Sequence, residues 1–209
     1  MLPLPRFLVP LLFSAAMVPA SFGGAEPAAK PAPAKTETAV IGGGCFWCLE
    51  ALYEKVNGVV DVESGYAGGK LAKPTYEAVC KGDTGHAEVI KITYDPAKVK
   101  YEDLLAIFWD IHDPTTLNQQ GADTGTQYRS IILYADEKQK AAAEKSRDAA
   151  QPHFKDRIVT EIVPLKEYWK AEEYHQDYFR KHPDQPYCAY TIPPKLQKLF
   201  KKHGDLVVK

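Results

Sequence analysis

The stretch that decides how this 209-residue chain folds is GGGCFWCLE, residues 42–50. It places the thiol of Cys45 on a glycine turn directly before an apparent helix. The first N–H groups of a helix lack partners within the helix and carry the positive end of its dipole, so they stabilise a thiolate over a thiol. The pattern therefore predicts a nucleophile at Cys45, although a lone cysteine at such a turn is as often a small buried residue.

Cys48 follows Cys45 at C-x-x-C spacing, which permits a redox dithiol, half a zinc site or a haem attachment. Haem attachment needs a histidine directly after the second cysteine, and Leu49 occupies that position. A structural zinc site needs a second close pair of ligands, but Cys80 and Cys188 are single and distant in the sequence. A redox dithiol is therefore the leading interpretation, and no metal or other cofactor is expected.

Two large aromatic residues, Phe46 and Trp47, lie between the thiols at positions expected to be exposed at the mouth of the turn. Such side chains commonly pack in a core. Beside a reactive sulfur they can instead line a pocket for a small apolar group. Both interpretations stay open at this point.

The N-terminal segment has the composition of a secretory signal. Residues 1–25 contain one basic residue, Arg6, then an apolar run over residues 7–18 and small residues suited to cleavage. This run is too short for a membrane-spanning helix, which needs about 20 apolar residues. We expect export to a periplasmic or other extracytoplasmic space, with no stable membrane association after cleavage; an uncleaved anchor stays open, because the segment has a single basic residue. Residues 26–35, rich in Ala, Pro and Lys, predict a semi-extended linker.

The remaining residues, 36–209, have an ordinary globular composition and suffice for one core. The chain carries 26 basic and 27 acidic residues, a balance that gives no argument for nucleic acid or an anionic membrane as a partner. Four cysteines are too few for a disulfide scaffold in a domain of this size. We expect a single domain that is a monomer.

Hydrophobic periodicity divides this domain into strands and helices. Strand patterns cover residues 36–41, 59–65, 76–80, 87–94, 130–134 and 157–163, and helical patterns cover residues 46–55, 101–111 and 136–151. A long polar loop over residues 113–129 is of the kind that often carries function. Residues 181–194, rich in Pro and Tyr, are expected to be irregular. The order of elements predicts an α+β fold: a two-layer α/β sandwich with helices packed on a mixed central sheet and an irregular C-terminal tail.

Five separated motifs carry a resemblance to a known enzyme family. In chain order they are GCFW at residues 44–47, GYAGG at 65–69, GHAE at 85–88, HDPTTLN at 112–118 and GTQYRS at 125–130. Together they resemble the A-type peptide methionine sulfoxide reductases, which are specific for the S epimer of methionine sulfoxide. The resemblance covers residues 39–199. It implies a ferredoxin-like sandwich that reduces protein-bound and free methionine S-sulfoxide and so repairs oxidised proteins.

The resemblance also implies roles for individual residues. Sulfoxide reduction needs a nucleophile at sulfur and a proton donor at oxygen, and the matching positions are Cys45 and Glu88. Because Glu88 begins a strand of otherwise apolar alternation, burial that raises its pKa is expected. The other matching positions are Tyr76 and Tyr128 for the sulfoxide oxygen, Asp123 for the substrate main chain, and Phe46 and Trp47 for an apolar wall that receives the methyl group.

The attack would leave Cys45 as a sulfenic acid, which a second thiol must convert into a disulfide. The family commonly uses a cysteine in a mobile C-terminal segment, and Cys188 matches that pattern. Cys48 is the alternative, since a C-x-x-C disulfide is geometrically allowed at a helix start. Cys188 is preferred because a flexible tail can reach a sulfenic acid without unwinding the helix. A thioredoxin-fold protein outside the cytoplasm is the expected reductant, and Cys80 is expected to be structural.

The chain departs from the family at Gln119, where many relatives have arginine, which puts loop order or substrate affinity in doubt. Three other functions stay open. The C-x-x-C pair could serve a general thiol-disulfide oxidoreductase. His86-x-Glu88 suggests a zinc hydrolase of the nucleobase-deaminase type, although the motif order is reversed. The two aromatic residues between the thiols could belong to a peptide-binding module.

Overall fold

The computed structural model describes residues 35–208, so the predicted signal segment and all but the last residue of the predicted linker lie outside it. Its strands are β1 Glu37–Gly42, β2 Val59–Ala67, β3 Ala87–Tyr94, β4 Gln119–Gln120, β5 Asp123–Thr124, β6 Ile131–Tyr134, β7 Glu161–Pro164 and β8 Tyr168–Lys170. Its α-helices are α1 Phe46–Tyr53, α2 Tyr76–Cys80, α3 Tyr101–Ile111, α4 Glu137–Ala150, α5 Tyr178–Lys181 and α6 Pro186–Lys202. Over residues 35–208 no helix is long and apolar enough to cross a membrane.

Six strands form one mixed sheet in the order β7-β6-β1-β3-β2-β8. Neighbouring strands are antiparallel except β6 and β7, which are parallel. The short strands β4 and β5 form a separate hairpin inside the predicted polar loop. Helix α1 packs on β2 and β3, and α4 packs on β6 and β7. The expected mixed α/β architecture is therefore confirmed.

The glycine turn connects the middle of the sheet to α1. Strand β1 ends at Gly42, between β3 and β6, and α1 begins four residues later with nearly every side chain buried. A Cβ on Gly43 would lie 3.0 Å from ring atoms of Phe108 and His112. The turn therefore lies directly against α3 and the residue that follows it, and only small residues fit there.

Gly42 lies directly against the backbone of β3. A Cβ at this position would lie 2.5 Å from the carbonyl oxygen of Glu88 and 2.9 Å from Cγ2 of Ile131. We expect Gly42→Ala to lower the free energy of unfolding by about 1–3 kcal/mol, because the added methyl forces backbone to move. Urea unfolding measures this loss. Gly121→Ala is the control, because φ is +59° and nothing lies within 4 Å of the added carbon. The added methyl introduces backbone strain only, so the free energy of unfolding should fall by about 1 kcal/mol. A larger loss in the control would contradict the explanation.

The C-terminal segment is regular, so the prediction of an irregular tail over residues 181–194 is wrong. Helix α6 begins at Pro186, where the missing N–H costs no intrahelical hydrogen bond. The side chain of Gln185 caps this helix by accepting a hydrogen bond from the Cys188 N–H at 3.0 Å. A proline-rich sequence is therefore compatible with a helix start at this position.

An apolar face explains why α6 continues through its internal prolines. Cys188, Ile192 and Leu199 are buried along one side of the helix, which packs against α1 and α3. Pro193 and Pro194 lie inside the helix and cannot donate to the carbonyls one turn earlier. Tertiary packing of an amphipathic face outweighs this local loss.

The strand predicted over residues 76–80 is instead helix α2. The Thr75 hydroxyl caps this helix by accepting a hydrogen bond from the Ala78 N–H at 3.3 Å. Over five residues, apolar alternation does not distinguish a strand from a single helical turn. Cys80, which was expected to be structural, is exposed at the end of this helix.

Candidate active site

Cys45 occupies the N-cap position of α1, at the end of the glycine turn. The preceding residue, Gly44, has φ of +96°, and a Cβ there would lie 2.6 Å from Cγ of Gln120. This glycine lets the turn fit beneath the β4–β5 hairpin. The Cys45 side chain is buried, with 7% of its surface exposed, and its thiol hydrogen-bonds to that of Cys48.

The prediction that the helix start stabilises a Cys45 thiolate is wrong. Burial raises the pKa of Cys45 well above its usual value, and the Cys48 thiol and the Glu88 carboxyl raise it further. The Phe46 N–H, a free amide of the first helical turn, donates to Glu88 Oε2 at 3.1 Å. The pKa of Cys48 is lowered, first because Cys45 donates a hydrogen bond to it and then by the positive charge of Lys195. Of the two thiols, Cys48 is therefore the one whose ionisation the surroundings favour.

Glu88 is the second residue of β3, and only 1% of it is exposed. Burial raises its pKa to about 8, although the hydrogen bond from the Phe46 N–H opposes the shift. The expected burial of this carboxyl is thus observed. Glu88 holds its proton at neutral pH, beside the amide that directly follows Cys45.

Tyr76 and Tyr128 approach the same carboxyl from two different segments, α2 and the turn before β6. Burial raises the pKa of each phenol, and the nearby Glu88 carboxyl contributes to both shifts. For Tyr128, the neighbouring Cys45 also contributes. Both phenols are therefore neutral hydrogen-bond donors around the group formed by Cys45 and Glu88.

A chain of polar contacts connects the β4–β5 hairpin to α1. The Tyr187 hydroxyl donates to Asp123 Oδ2 at 2.6 Å, and the same hydroxyl oxygen lies 3.8 Å from Cys48 Sγ. Asp123 is thus at the site, but its partner is a tyrosine for which the sequence made no prediction. Tyr187 directly precedes Cys188, and this adjacency is the only sequence signal for it.

The aromatic wall contains two further residues that sequence reasoning missed. Tyr178 stacks on Trp47 with ring centroids 3.7 Å apart and planes 7° apart. The Trp47 indole N–H donates to His175 Nδ1 at 3.1 Å, and the His175 and Phe46 ring centroids are 5.0 Å apart. Phe46 is buried rather than exposed, while Trp47 is half-buried. His175 and Tyr178 lie outside all five motifs, so no motif pointed to them.

Cys188 lies in a regular helix and not in an irregular segment. It is fully buried near the start of α6, where burial raises its pKa and the charge of Cys48 raises it further. Cys48 therefore interacts with both Cys45 and Cys188, and all three thiols are free.

Gln119 forms local hydrogen bonds in place of the contacts an arginine would make. Its side-chain amide donates to the Gly121 carbonyl at 2.9 Å. Its main-chain carbonyl accepts a hydrogen bond from the Thr116 hydroxyl at 2.6 Å. These bonds order the loop from within. An effect of Gln119 on substrate affinity stays a prediction.

The fold and site together define a thiol-dependent oxidoreductase: a buried cysteine pair at a helix start, a protonated carboxyl beside it and neutral phenols around both. No group of three or more His, Cys, Asp or Glu side chains in residues 35–208 is arranged to hold a metal ion. The sequence model of the family "Peptide methionine sulfoxide reductase" matches residues 37–206. The chain therefore belongs to the peptide methionine sulfoxide reductase family and is a peptide-methionine (S)-S-oxide reductase, as the five motifs predicted.

Individual relatives agree with this assignment. The chain is 56% identical over 163 residues to the peptide methionine sulfoxide reductase MsrA of Nautilia profundicola, covering 78% of this chain and 94% of that protein. It is 52% identical over 169 residues to MsrA of Sulfolobus acidocaldarius, covering 81% of this chain and 96% of that protein.

Solved structures of two similar proteins share the fold. Reduced Mxr1 of Saccharomyces cerevisiae is 38% identical with a TM-score of 0.71, covering 78% of this chain and 93% of that one. Methionine sulfoxide reductase A of Corynebacterium diphtheriae is 40% identical with a TM-score of 0.70, covering 73% and 77%. Mxr1 has also been solved in complex with Trx2; this chain is 28% identical to it with a TM-score of 0.52, covering 73% and 91%.

Proposed function

We propose that the chain reduces protein-bound and free methionine S-sulfoxide through a sulfenic acid on Cys45. The Cys45 sulfur attacks the sulfoxide sulfur, and Glu88 gives its proton to the sulfoxide oxygen. The hydroxyl then passes from the substrate sulfur to the Cys45 sulfur: the sulfur–oxygen bond of the substrate breaks, methionine leaves, and Cys45 becomes a sulfenic acid. The observation that carries this proposal is the buried, protonated Glu88 carboxyl, hydrogen-bonded to the amide that follows Cys45.

Cys45 must lose its own proton before it attacks. Cys48 accepts the hydrogen bond of the Cys45 thiol and has the lower pKa of the pair. It is therefore the group placed to take this proton. In this mechanism the reactive thiolate of Cys45 forms only as the sulfoxide is attacked.

The roles proposed for the neighbouring residues are those that the family resemblance implies. Tyr76 and Tyr128 donate hydrogen bonds to the sulfoxide oxygen, where negative charge develops. Phe46 and Trp47 form the wall that receives the methyl group. Asp123 holds the substrate main chain through the carboxylate oxygen that Tyr187 does not use.

We propose a two-step thiol relay for the sulfenic acid. Cys48 attacks the Cys45 sulfur, water leaves and a disulfide joins these residues. The Cys188 thiolate then attacks the Cys48 sulfur, which frees Cys45 and leaves a disulfide between Cys48 and Cys188. The support is that Cys188 is held in a helix near Cys48. The alternative is direct attack by Cys188 on Cys45, the route preferred from the sequence, which requires the start of α6 to open.

Disulfide mapping by mass spectrometry, after one equivalent of methionine S-sulfoxide without reductant, tests this relay. We expect a disulfide between Cys48 and Cys188 in the wild type and between Cys45 and Cys48 in Cys188→Ser. In Cys48→Ser the relay predicts a Cys45 sulfenic acid that dimedone traps. A disulfide between Cys45 and Cys188 in that variant would instead show direct attack. Cys80→Ser is the control and should leave the wild-type pattern unchanged.

We also propose a reductant and a location. The complex of the yeast relative Mxr1 with Trx2 supports a thioredoxin-type donor for the final disulfide. The composition of residues 1–25 supports export and cleavage, with residues 26–35 as a linker to a single, monomeric catalytic domain over residues 36–209. The donor is then a thioredoxin-fold protein outside the cytoplasm.

For the fold we infer a ferredoxin-like core. Strands β6, β1, β3 and β2 are neighbours in that order, and all their pairs are antiparallel. Helix α1 follows β1 and α3 follows β3, which is the β-α-β-β-α-β succession of ferredoxin-like folds. The small helix α2 is then an addition between β2 and β3.

A further inference from the structure

Glu50 is a buried carboxyl that the proposed reaction does not use. It lies in α1 three residues after Trp47 and four after Phe46, so the three side chains share one side of the helix. Only 2% of Glu50 is exposed, and its Oε1 has no hydrogen-bond partner among the described residues. A buried carboxyl is costly unless its surroundings bind it. Its partners therefore indicate what it does.

The partners of Glu50 are backbone amides of the turn that begins α5. Its Oε2 accepts a hydrogen bond from the Tyr178 N–H at 3.4 Å, and the Asp177 backbone and the Ser64 side chain lie near enough to lower the pKa of this carboxyl. Asp177 has φ of +54°, a left-handed conformation that is unfavourable for a residue with a Cβ. On the solvent side, an ion pair of 2.7 Å between Arg180 and Asp177 holds the turn. Glu50 holds it from the protein interior.

This turn decides where Tyr178 lies. Just before the turn, the Gln176 side chain bonds both the N–H and the carbonyl of Ser64 at 3.0 Å, which fixes that residue to β2. Beyond Gln176 the chain depends on the contacts of the turn itself. Tyr178 then stacks on Trp47 at 3.7 Å. The contact of Glu50 with the turn therefore helps to fix Tyr178, whose ring covers the indole face of Trp47.

We propose that Glu50 is a positioning residue for substrate binding: it holds the turn at Asp177 and Tyr178, and so fixes the Tyr178 ring against Trp47. The inference rests on the proposed function, because that function assigns the Trp47 wall to the substrate methyl group. Glu50 touches neither the substrate nor the reacting thiols. Its removal should weaken substrate binding and leave the chemical step in place.

Steady-state kinetics with methionine S-sulfoxide, on the full chain, separate binding from chemistry. We expect Glu50→Ala to raise KM by about 10-fold, because the Tyr178 N–H loses its buried acceptor. We expect kcat to stay within about 3-fold, because the interaction acts on ground-state and transition-state binding alike. Glu50→Gln keeps an acceptor oxygen and should restore much of the wild-type KM. Glu63→Gln is the control: Glu63 lines the same surface cavity as Glu50 but pairs with Lys91 and Lys170, and should keep the wild-type KM.

A double variant tests whether Glu50 acts through Tyr178. Tyr178→Leu removes the stacked ring and should raise KM as Glu50→Ala does. If the two act together, the double variant raises KM no more than the larger single effect. Multiplied effects would show that Glu50 acts by another route. An unchanged KM in Glu50→Ala, or an equal rise in the Glu63→Gln control, would overturn the proposal.

Hydrogen exchange gives a measurement that needs no turnover. In Glu50→Ala the Tyr178 amide should exchange about 10-fold faster, since its buried acceptor is gone. If Glu50→Ala fails to fold, the same measurement on Glu50→Gln carries the test, with a smaller expected change. Unchanged exchange in a folded variant would contradict the contact. A wild type that exchanges as expected but reduces no sulfoxide would overturn the proposed function and not this contact.

Discussion

Replacing Cys45 with serine is expected to abolish reduction of methionine S-sulfoxide, with kcat/KM falling by roughly 10⁴-fold or more. A serine hydroxyl is a much weaker nucleophile toward sulfur than a thiolate, and it forms neither a sulfenic acid nor a disulfide. The Cys45 side chain makes no capping hydrogen bond to α1, so the variant should remain folded. Chromatography of the methionine formed, with dithiothreitol as reductant, measures the loss.

Cys80→Ser is the matched control for this experiment. Cys80 is the exposed cysteine of the chain's described part, and serine keeps a polar atom near the Tyr76 hydroxyl. The control should stay within about 3-fold of the wild-type rate, as surface substitutions usually have small effects. Substantial activity in Cys45→Ser would mean that another thiol attacks the sulfoxide, and Cys48 would then be the first residue to examine.

Replacing Glu88 with glutamine should slow the reaction by about 10²- to 10⁴-fold, because the sulfoxide oxygen loses its proton donor. Burial raises the Glu88 pKa to about 8. The acid form therefore dominates below that pH, and wild-type activity should fall as the pH rises through it. The variant should lack this fall. Rates measured across this pH range, with Glu88→Asp as a variant that retains an acid and part of the activity, check both expectations.

The raised pKa of Glu88 also makes the free energy of unfolding depend on pH, and this dependence can be compared between the wild type and Glu88→Gln. The native state holds the Glu88 proton more tightly than the unfolded state, whose pKa is near 4.5. This contribution to wild-type stability is fully present below pH 4.5 and is lost as the pH rises toward about 8. The stability of Glu88→Gln, relative to the wild type, should therefore increase with pH. A glutamine variant that is folded and reacts at the wild-type rate would remove Glu88 from the mechanism.

Strong apolar periodicity made part of the fold predictable. Strand β3 and helix α3 occupy the residues that the pattern gave, Ala87–Tyr94 and Tyr101–Ile111, because each has an uninterrupted buried face and ends near Pro or Asp. Helix α6 was missed for the opposite reason. Its prolines argue against a helix locally, and the packing that offsets them is against α1 and α3, which lie far away in the sequence.

The residues of the candidate site also fall into a group that the sequence pointed to and a group that it did not. Cys45 and Phe46 could be singled out from the glycine turn and the helix start that follows it, whereas Glu88 was singled out only through the family resemblance of its motif. Tyr187, His175 and Tyr178 reach the site only because the C-terminal segment folds back over α1. The direction of the Cys45 pKa shift was wrong because it depends on burial, and burial exists only once the helices and the sheet have packed.

The two prolines inside α6 divide the helix into two parts that are joined by few backbone hydrogen bonds. Because residues 193 and 194 have no N–H, the carbonyls of Ala189 and Tyr190 lose their intrahelical donors, and few backbone bonds join the start of the helix to the rest. The turn that carries Cys188 can therefore fray as a unit of its own, at a smaller free energy than global unfolding. A disulfide on Cys188 could then be presented to a bulky reductant while the sheet, α1 and the remainder of α6 keep their native packing.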